Sequence, residues 1–263
     1  MFYLGRSPVR VGGTKKMEIH TESTVSSFLS LIERTKSSEV LKGNKADFLF
    51  RGQNTDEPLI PKIARLKPKG TDLNKIEQLM LADYDRQSLP FREFNTVDQW
   101  DLLALAQHHG LPTRLLDWSY SALAALWFCV KRSPKKDKKG SLQDGIVWLF
   151  KTFPADFIEF PTDETPFGNS KTRIFRPRVV ARRILAQSGV FTCHKRMKDG
   201  RFIPFDKNKA YSKRLVKITI PASAFGDIRQ QLEACGVHRL TLFPDLDGLA
   251  AYLQHRYFHE SEL

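Results

Sequence analysis

Residues 107–119 read Gln107-His108-His109-Gly110-Leu111-Pro112-Thr113-Arg114-Leu115-Leu116-Asp117-Trp118-Ser119, and how they fold decides the architecture. They set an imidazole pair, a guanidinium, a carboxylate and an indole between two apolar segments, residues 100–106 (WDLLALA) and 121–130 (SALAALWFCV). Both segments have the apolar density of helices inside a core. Gly110 predicts a left-handed end to the first helix and Pro112 stops it from resuming, so residues 113–118 are expected to run extended. Alternation along that strand puts Arg114, Leu116 and Trp118 on one face and Leu115 with Asp117 on the other. Two readings of the polar groups stay open: a hydrogen-bonded network that pins a strand between helices, or the rim of a site.

A second cluster favours a site. Phe48-Leu49-Phe50-Arg51-Gly52-Gln53 reads as a short apolar strand that delivers an arginine and then a glycine. Arg51 shares its strand face with Leu49, which is unusual for a solvated arginine. The pattern predicts a guanidinium aimed into a pocket, where its planar fork holds a phosphate or carboxylate in two bonds. Gly52 lets a ligand or another backbone come close.

Outward from these clusters, residues 1–22 read as an irregular, mobile arm and residues 23–263 as a single domain. Residues 24–36 predict an amphipathic helix capped at Ser23 or Thr24, and residues 72–91 a second with Leu73, Ile76, Leu79, Met80 and Tyr84 at helical spacing. Strands are expected at 145–150 (GIVWLF), 187–193, 215–220 and 237–243. A helix over 223–235 is closed by Gly236, and a final helix covers 249–255. Strands and helices mix without strict alternation, so the fold class is α+β: a mixed central sheet flanked by helices, with a helical N-terminal third. The sheet is expected from segments near 48, 114, 146, 190, 217 and 240. The pocket is expected where Arg51, His108, Arg114 and Asp117 converge.

Composition bounds the function. With 263 residues, 41% of them hydrophobic, the chain buries a sizeable core, which excludes disorder. The formal net charge of +13 favours a polyanionic partner: nucleic acid, a phosphorylated ligand or an acidic protein. The cations cluster over residues 171–214. Lys171, Arg173, Arg176, Arg178, Arg182 and Arg183 are the expected nucleic-acid contacts, and Phe175, Phe191 and Phe202 are interleaved for base stacking. Lys135 to Lys139 (KKDKK) reads as a solvated turn. Three scattered cysteines, Cys129, Cys193 and Cys235, indicate neither a disulfide framework nor a zinc site. Adjacent His108 and His109 point in different directions and make a poor chelating pair, so no metal is expected. Without an apolar leader or a membrane-length run, the expected location is cytoplasmic.

The sequence resembles the FRG domain family, named for its Phe-Arg-Gly motif. The resemblance rests on five segments in order: Phe50-Arg51-Gly52-Gln53; Leu59-Ile60-Pro61-Lys62-Ile63-Ala64-Arg65; Gln107-His108 with Gly110 and Pro112-Thr113-Arg114-Leu115-Leu116-Asp117-Trp118; Gln187-Ser188-Gly189-Val190-Phe191-Thr192; and Leu242-Phe243-Pro244-Asp245-Leu246. It implies a component of a bacterial toxin or phage-defence system. More distantly, an aromatic-Arg-Gly strand followed by a strand and a Ser-rich turn is similar to the arginine-class ADP-ribosyltransferase core.

That second resemblance implies NAD as substrate. Arg51, with Gly52 and Gln53, would then hold the pyrophosphate. Gln107 and His108 would contact the adenosine or the nicotinamide ribose, and Ser119 or Ser121 the ribose. Asp117 would order Arg114, or Arg114 would share the phosphate. The family carries a glutamate late in the chain, and Gln187 stands at that stage; a glutamine hydrogen-bonds but is no base. Two classes of function follow. One is an ADP-ribosyltransferase acting on nucleic acid or a nucleic-acid-associated protein, with either nucleic acid or an acidic antitoxin-like protein as the partner of the basic charge. The other is a non-catalytic module for nucleic acid or a phosphorylated ligand. A ribonuclease built on His108 and His109 ranks last, because adjacent histidines rarely face one phosphate.

Overall fold

The computed structural model describes residues 17–70, 72–92, 95–160, 162, 164–178 and 182–258. In chain order the elements are β1 (Glu18–Thr21), α1 (Val25–Leu41), β2 (Asp47–Gln53), α2 (Leu73–Ser88), α3 (Gln99–His108), β3 (Leu115–Ser119), α4 (Ala122–Val130), β4 (Gly145–Thr152), β5 (Arg173–Phe175), α5 (Arg182–Ala186), β6 (Gly189–Cys193), β7 (Leu215–Ile220), α6 (Phe225–Ala234), α7 (Arg239–Leu242) and α8 (Leu246–Tyr257). Short polar side chains start most of the longer helices. Thr24, Asp72, Asp98, Ser121 and Asp245 each accept a backbone N–H from the first turn of the helix that follows, which satisfies donors the helix itself leaves unpaired.

The strands form one mixed sheet in the order β1-β7-β4-β2-β3-β6-β5. Only β1 and β7 run parallel; the other neighbours are antiparallel. With helices against it the architecture is α+β. One side of the β7-β4-β2 half packs Phe48, Phe50, Val147, Leu149, Val216 and Ile218 against α1, α4 and α6. On the same side, β3, β6 and β5 pack Leu115, Phe191 and Phe175 against Leu81 of α2 and Trp100, Leu103 and Ala106 of α3. The opposite side carries Leu49, Trp118, Trp148 and Phe150 under Leu59, Phe157, Phe205 and Tyr211, which come from irregular segments.

Several expectations shift. Residues 237–243 do not form a strand: α7 occupies Arg239–Leu242, entered through a bond from His238 N to Thr241 Oγ1. Val237, Leu242 and Phe243 all pack on the core, and the consecutive pair Leu242 and Phe243 breaks the alternation a strand would impose. The expected strand from 187 starts at Gly189, because Gln187 N still bonds Arg183 O at the end of α5 and Ser188 takes a φ of 47°. β1 and β5, of four and three residues, are too short for a periodic signal. Glu18–Thr21 pairs along β7 and so belongs to the sheet rather than to an arm; residues 1–16 lie outside the described residues.

Candidate functional site

β2 points Leu49, Arg51 and Gln53 to one side of the sheet and Phe48, Phe50 and Gly52 to the other. Gly52 lies beneath α4, where a Cβ would stand 1.8 Å from the Ala125 carbonyl oxygen and 2.7 Å from Cys129 N. The close approach that glycine permits is therefore filled by a helix backbone, not left for a ligand.

Arg51 sits at a seam. β2 pairs with β4 over seven residues but with β3 at a single pair, Phe50 with Ser119. One residue past that pair, Arg51 Nη1 donates to the Asp117 backbone carbonyl at 2.8 Å and lies 3.5 Å from Asp117 Oδ2. The guanidinium thus bridges strands whose backbones have stopped pairing. Gln107 Nε2, from the last turn of α3, donates to both Asp117 carboxylate oxygens at 3.2 and 3.3 Å. Gln107 Oε1 in turn accepts from Thr113 Oγ1 at 2.7 Å, and that hydroxyl accepts from Leu115 N. A chain of bonds therefore fixes the Asp117 side chain, which stays 56% exposed.

Among the described residues, the other edge of the Arg51 guanidinium has no protein acceptor. Its hydrogen bonds all leave from Nη1, and Nε is buried without a partner. On the same side of the sheet, Trp148 Nε1, opposite Arg51 on β4, and Gln53 Oε1 are also buried without partners. Burial lowers the Arg51 pKa from its ordinary value, with Asp117 opposing that and Arg65 adding to it; the group remains a cation in proteins. His194, just past β6, is 1% exposed with Nε2 3.1 Å from Thr192 Oγ1, which accepts from Trp118 Nε1. Burial, then the Arg51 charge, push His194 down to about 3, so the ring is neutral.

The seam gathers Arg51, Gln53, Gln107 and Asp117, but not Arg114. That guanidinium is fully buried, with Nη2 2.7 Å and Nε 3.0 Å from Glu77 Oε2, Nη2 2.6 Å from Asn74 Oδ1 and Nη1 3.1 Å from the Pro166 carbonyl. Asp117 therefore orders Arg51, and Arg114 anchors α2 to the start of β3. His108 lines a cavity of about 650 Å³ with His109, Tyr84, Arg92, Arg183 and Asp245, which Arg51 and Asp117 do not line. Burial first, then His109 and Arg183, push His108 down to about 4. Ser119 is engaged with the Gln187 carbonyl and Ser121 N, while Ser121 caps α4. Gln187 Nε2 donates to the Leu242 carbonyl. These three hold loops together. A Glu-x-Glu pair, Glu260 and Glu262, stands outside the described residues. Sequence reasoning did not pick out Trp148 or His194; the signal was the alternation that puts Trp148 on the Arg51 side of GIVWLF.

The basic segment is largely neutralised within the protein. Arg173 pairs with Glu164 at 3.6 Å, Arg176 with Asp47 at 3.7 Å, Arg178 with Asp101 at 3.4 Å and Asp98 at 3.5 Å, and Arg183 with Asp245 and Asp247. Arg182 lines the His108 cavity, and Lys171 is exposed. Phe175, Phe191 and Phe202 are buried at 1, 4 and 7% exposure, so they belong to the core and present no face for a base.

Residues 46–138 match the family model of the FRG domain. The chain contains an FRG domain. The match runs from just before β2 to past α4, so the FRG domain holds both Arg51 and Asp117, while residues 187–192 and 242–246 fall beyond it. No curated protein and no solved structure matches the chain. Among the described residues, no three His, Cys, Asp or Glu side chains are grouped to hold a metal, and no helix is long and apolar enough to cross a membrane. Burial raises the Cys129 thiol and pushes the Cys193 thiol up to about 12, so neither is an activated nucleophile.

Proposed function

We propose that the FRG domain binds a phosphorylated ribonucleotide of the NAD type at the Arg51–Asp117 seam and serves an ADP-ribosyl transfer reaction. One observation carries the reading: a guanidinium whose Nη1 is fixed by Asp117 while its Nε edge, buried, has no protein acceptor. A phosphate oxygen pair is the ligand that suits such an edge, because the fork is already oriented and its charge only partly neutralised. Beside it, Asp117 offers an exposed carboxylate with both oxygens held by Gln107. Cleavage of a ribosyl bond develops positive charge on the sugar, and a fixed carboxylate stabilises that charge. NAD supplies the ribosyl group and the leaving nicotinamide. Arg51 orients the phosphates and Asp117, the exposed carboxylate beside it, faces the ribose. A role in toxin or phage-defence systems follows from the family resemblance.

Incubating the purified chain with labelled NAD together with DNA, RNA or cell lysate, followed by mass analysis, tests this reading. Nicotinamide release with an ADP-ribose adduct on an acceptor is the expected result. NAD binding with no release and no adduct under any condition would reduce the domain to a binding module.

A further inference from the structure

The end of α4 carries cations that the Arg51 seam does not use. Lys131 Nζ lies 4.7 Å from the Phe128 ring centroid and 5.5 Å from that of Trp127. The Arg239 guanidinium, on α7, lies 4.4 Å from the Phe243 ring, itself 6.0 Å from Phe128. Two cations from different helices are thus held against one aromatic pair. Among the described residues neither they nor Arg132 forms an ion pair, and the nearby carboxylates, Asp245 and Asp247, are taken by Arg183. Arg239 Nε is buried without an acceptor. Burial, then the charges of Arg132 and Arg239, push Lys131 down to about 8, while Asp245 and Asp247 offset part of the lowering at Arg239.

The charge continues along the chain. Lys135, Lys136, Lys138 and Lys139 follow on a turn closed by the Lys136–Leu142 bridge. Its one acid, Asp137, uses Oδ1 to accept the backbone N–H groups of Lys139 and Ser141. This arrangement is the opposite of the segment from Arg173 to Arg183, where Arg173, Arg176, Arg178 and Arg183 have acidic partners.

We infer that Lys131, Arg132 and Arg239, continued by the lysines of the 135–139 turn, form a surface that binds the phosphodiester backbone of nucleic acid. Cations strung along a helix end and a turn match a repeating charge better than one small anion. Their placement also fixes the kind of contact. Lys131 and Arg239 already cover the aromatic faces, so bases cannot stack there, and binding follows the backbone with little sequence preference. The inference does not depend on the nucleotide reading of the Arg51 seam.

Fluorescence anisotropy of the full chain with labelled DNA and RNA oligonucleotides, over about 50 to 200 mM salt, tests it. Two variants divide the surface: Lys131→Gln/Arg132→Gln/Arg239→Gln, and Lys135→Gln/Lys136→Gln/Lys138→Gln/Lys139→Gln on the exposed turn, whose fold the substitutions leave intact. Each is expected to weaken binding by about tenfold or more and to shallow the salt dependence by about two phosphate contacts. Arg176→Gln/Arg178→Gln, which removes paired arginines, should bind within about twofold of wild type. Wild-type affinity in both patch variants would overturn the inference, as would undetectable wild-type binding near 50 mM salt. Equal capture of an acidic polypeptide such as polyglutamate would also overturn it, by marking the surface as a protein-docking site.

Discussion

Arg114 and Glu77, each 1% exposed at the side chain, form a buried ion pair at 2.7 Å that ties the second turn of α2 to the residue preceding β3. Glu77 Oε1 also accepts the Arg114 backbone N–H, and the guanidinium lies 4.8 Å from the Phe167 ring. Removing one partner strands the other charge in the core. Glu77→Ala is expected to lower unfolding free energy by roughly 3 to 5 kcal/mol, read by urea denaturation. A loss below about 1 kcal/mol, the level of an exposed pair, would show that the pair does not anchor the helix.

Gly52 is expected to be intolerant of any side chain for a reason separate from ligand binding. In Gly52→Ala the added methyl meets the Ala125 carbonyl of α4 at 1.8 Å, so β2 and α4 must separate. The variant should lose on the order of 3 kcal/mol or more and yield little folded protein. Wild-type melting with lost nucleotide binding would instead make Gly52 a ligand contact.

Acid sensitivity is expected from His194. Its folded value of about 3 lies below the ordinary 6.5, so the unfolded chain binds a proton the folded one refuses. The corresponding stability is complete above about pH 6.5 and is lost as pH falls toward 3, at up to about 1.4 kcal/mol per pH unit. His108, pushed down to about 4, adds a contribution of the same sign. His194→Gln keeps a partner for Thr192 without the titrating ring. It should flatten the stability profile between pH 6.5 and 5; an unchanged slope would contradict the assignment.

Asp117→Asn keeps the side-chain size but removes the charge and replaces one of the two oxygens that accept from Gln107 Nε2 with a donor. Under the proposed chemistry, nicotinamide release should fall by at least about tenfold while melting stays near wild type, since Asp117 is more exposed than buried. Undiminished turnover in a folded Asp117→Asn variant would exclude the carboxylate from the reaction.

The sequence exposed the local features and hid the long-range ones. Capping residues, the apolar runs of α3 and α4 and the Phe-Arg-Gly strand are written within single windows, so their elements were legible. Asp117, which meets Arg51, stands in the stretch that reads as a site, but the sequence reading pairs it with Arg114 and sets His108 beside it, and the structure does neither. Arg114 was misassigned because its partner is 37 residues away on α2, where Glu77 looks like one polar position among many. The phenylalanines near the basic segment looked like stacking platforms only because burial cannot be read from alternating cations and aromatics. Val237 to Phe243 mimics a strand through its apolar content, whereas its helical turn is closed by backbone bonds from Leu242 and Phe243 and by the Thr241 hydroxyl accepting His238 N.

Calorimetric titration of ADP-ribose into wild type and Arg51→Ala, with urea unfolding of both, tests the central claim most directly. Arg51 holds the phosphates in this scheme, so the variant should lose roughly 1.5 to 3 kcal/mol of binding free energy, about ten- to over a hundredfold in affinity. Its unfolding free energy should stay within about 1.5 kcal/mol of wild type, the loss of one ordinary hydrogen bond to Asp117. Equal affinity in the two proteins, or a collapse of stability with affinity unchanged in the folded fraction, would contradict the claim and leave Arg51 as a strut between β2 and β3.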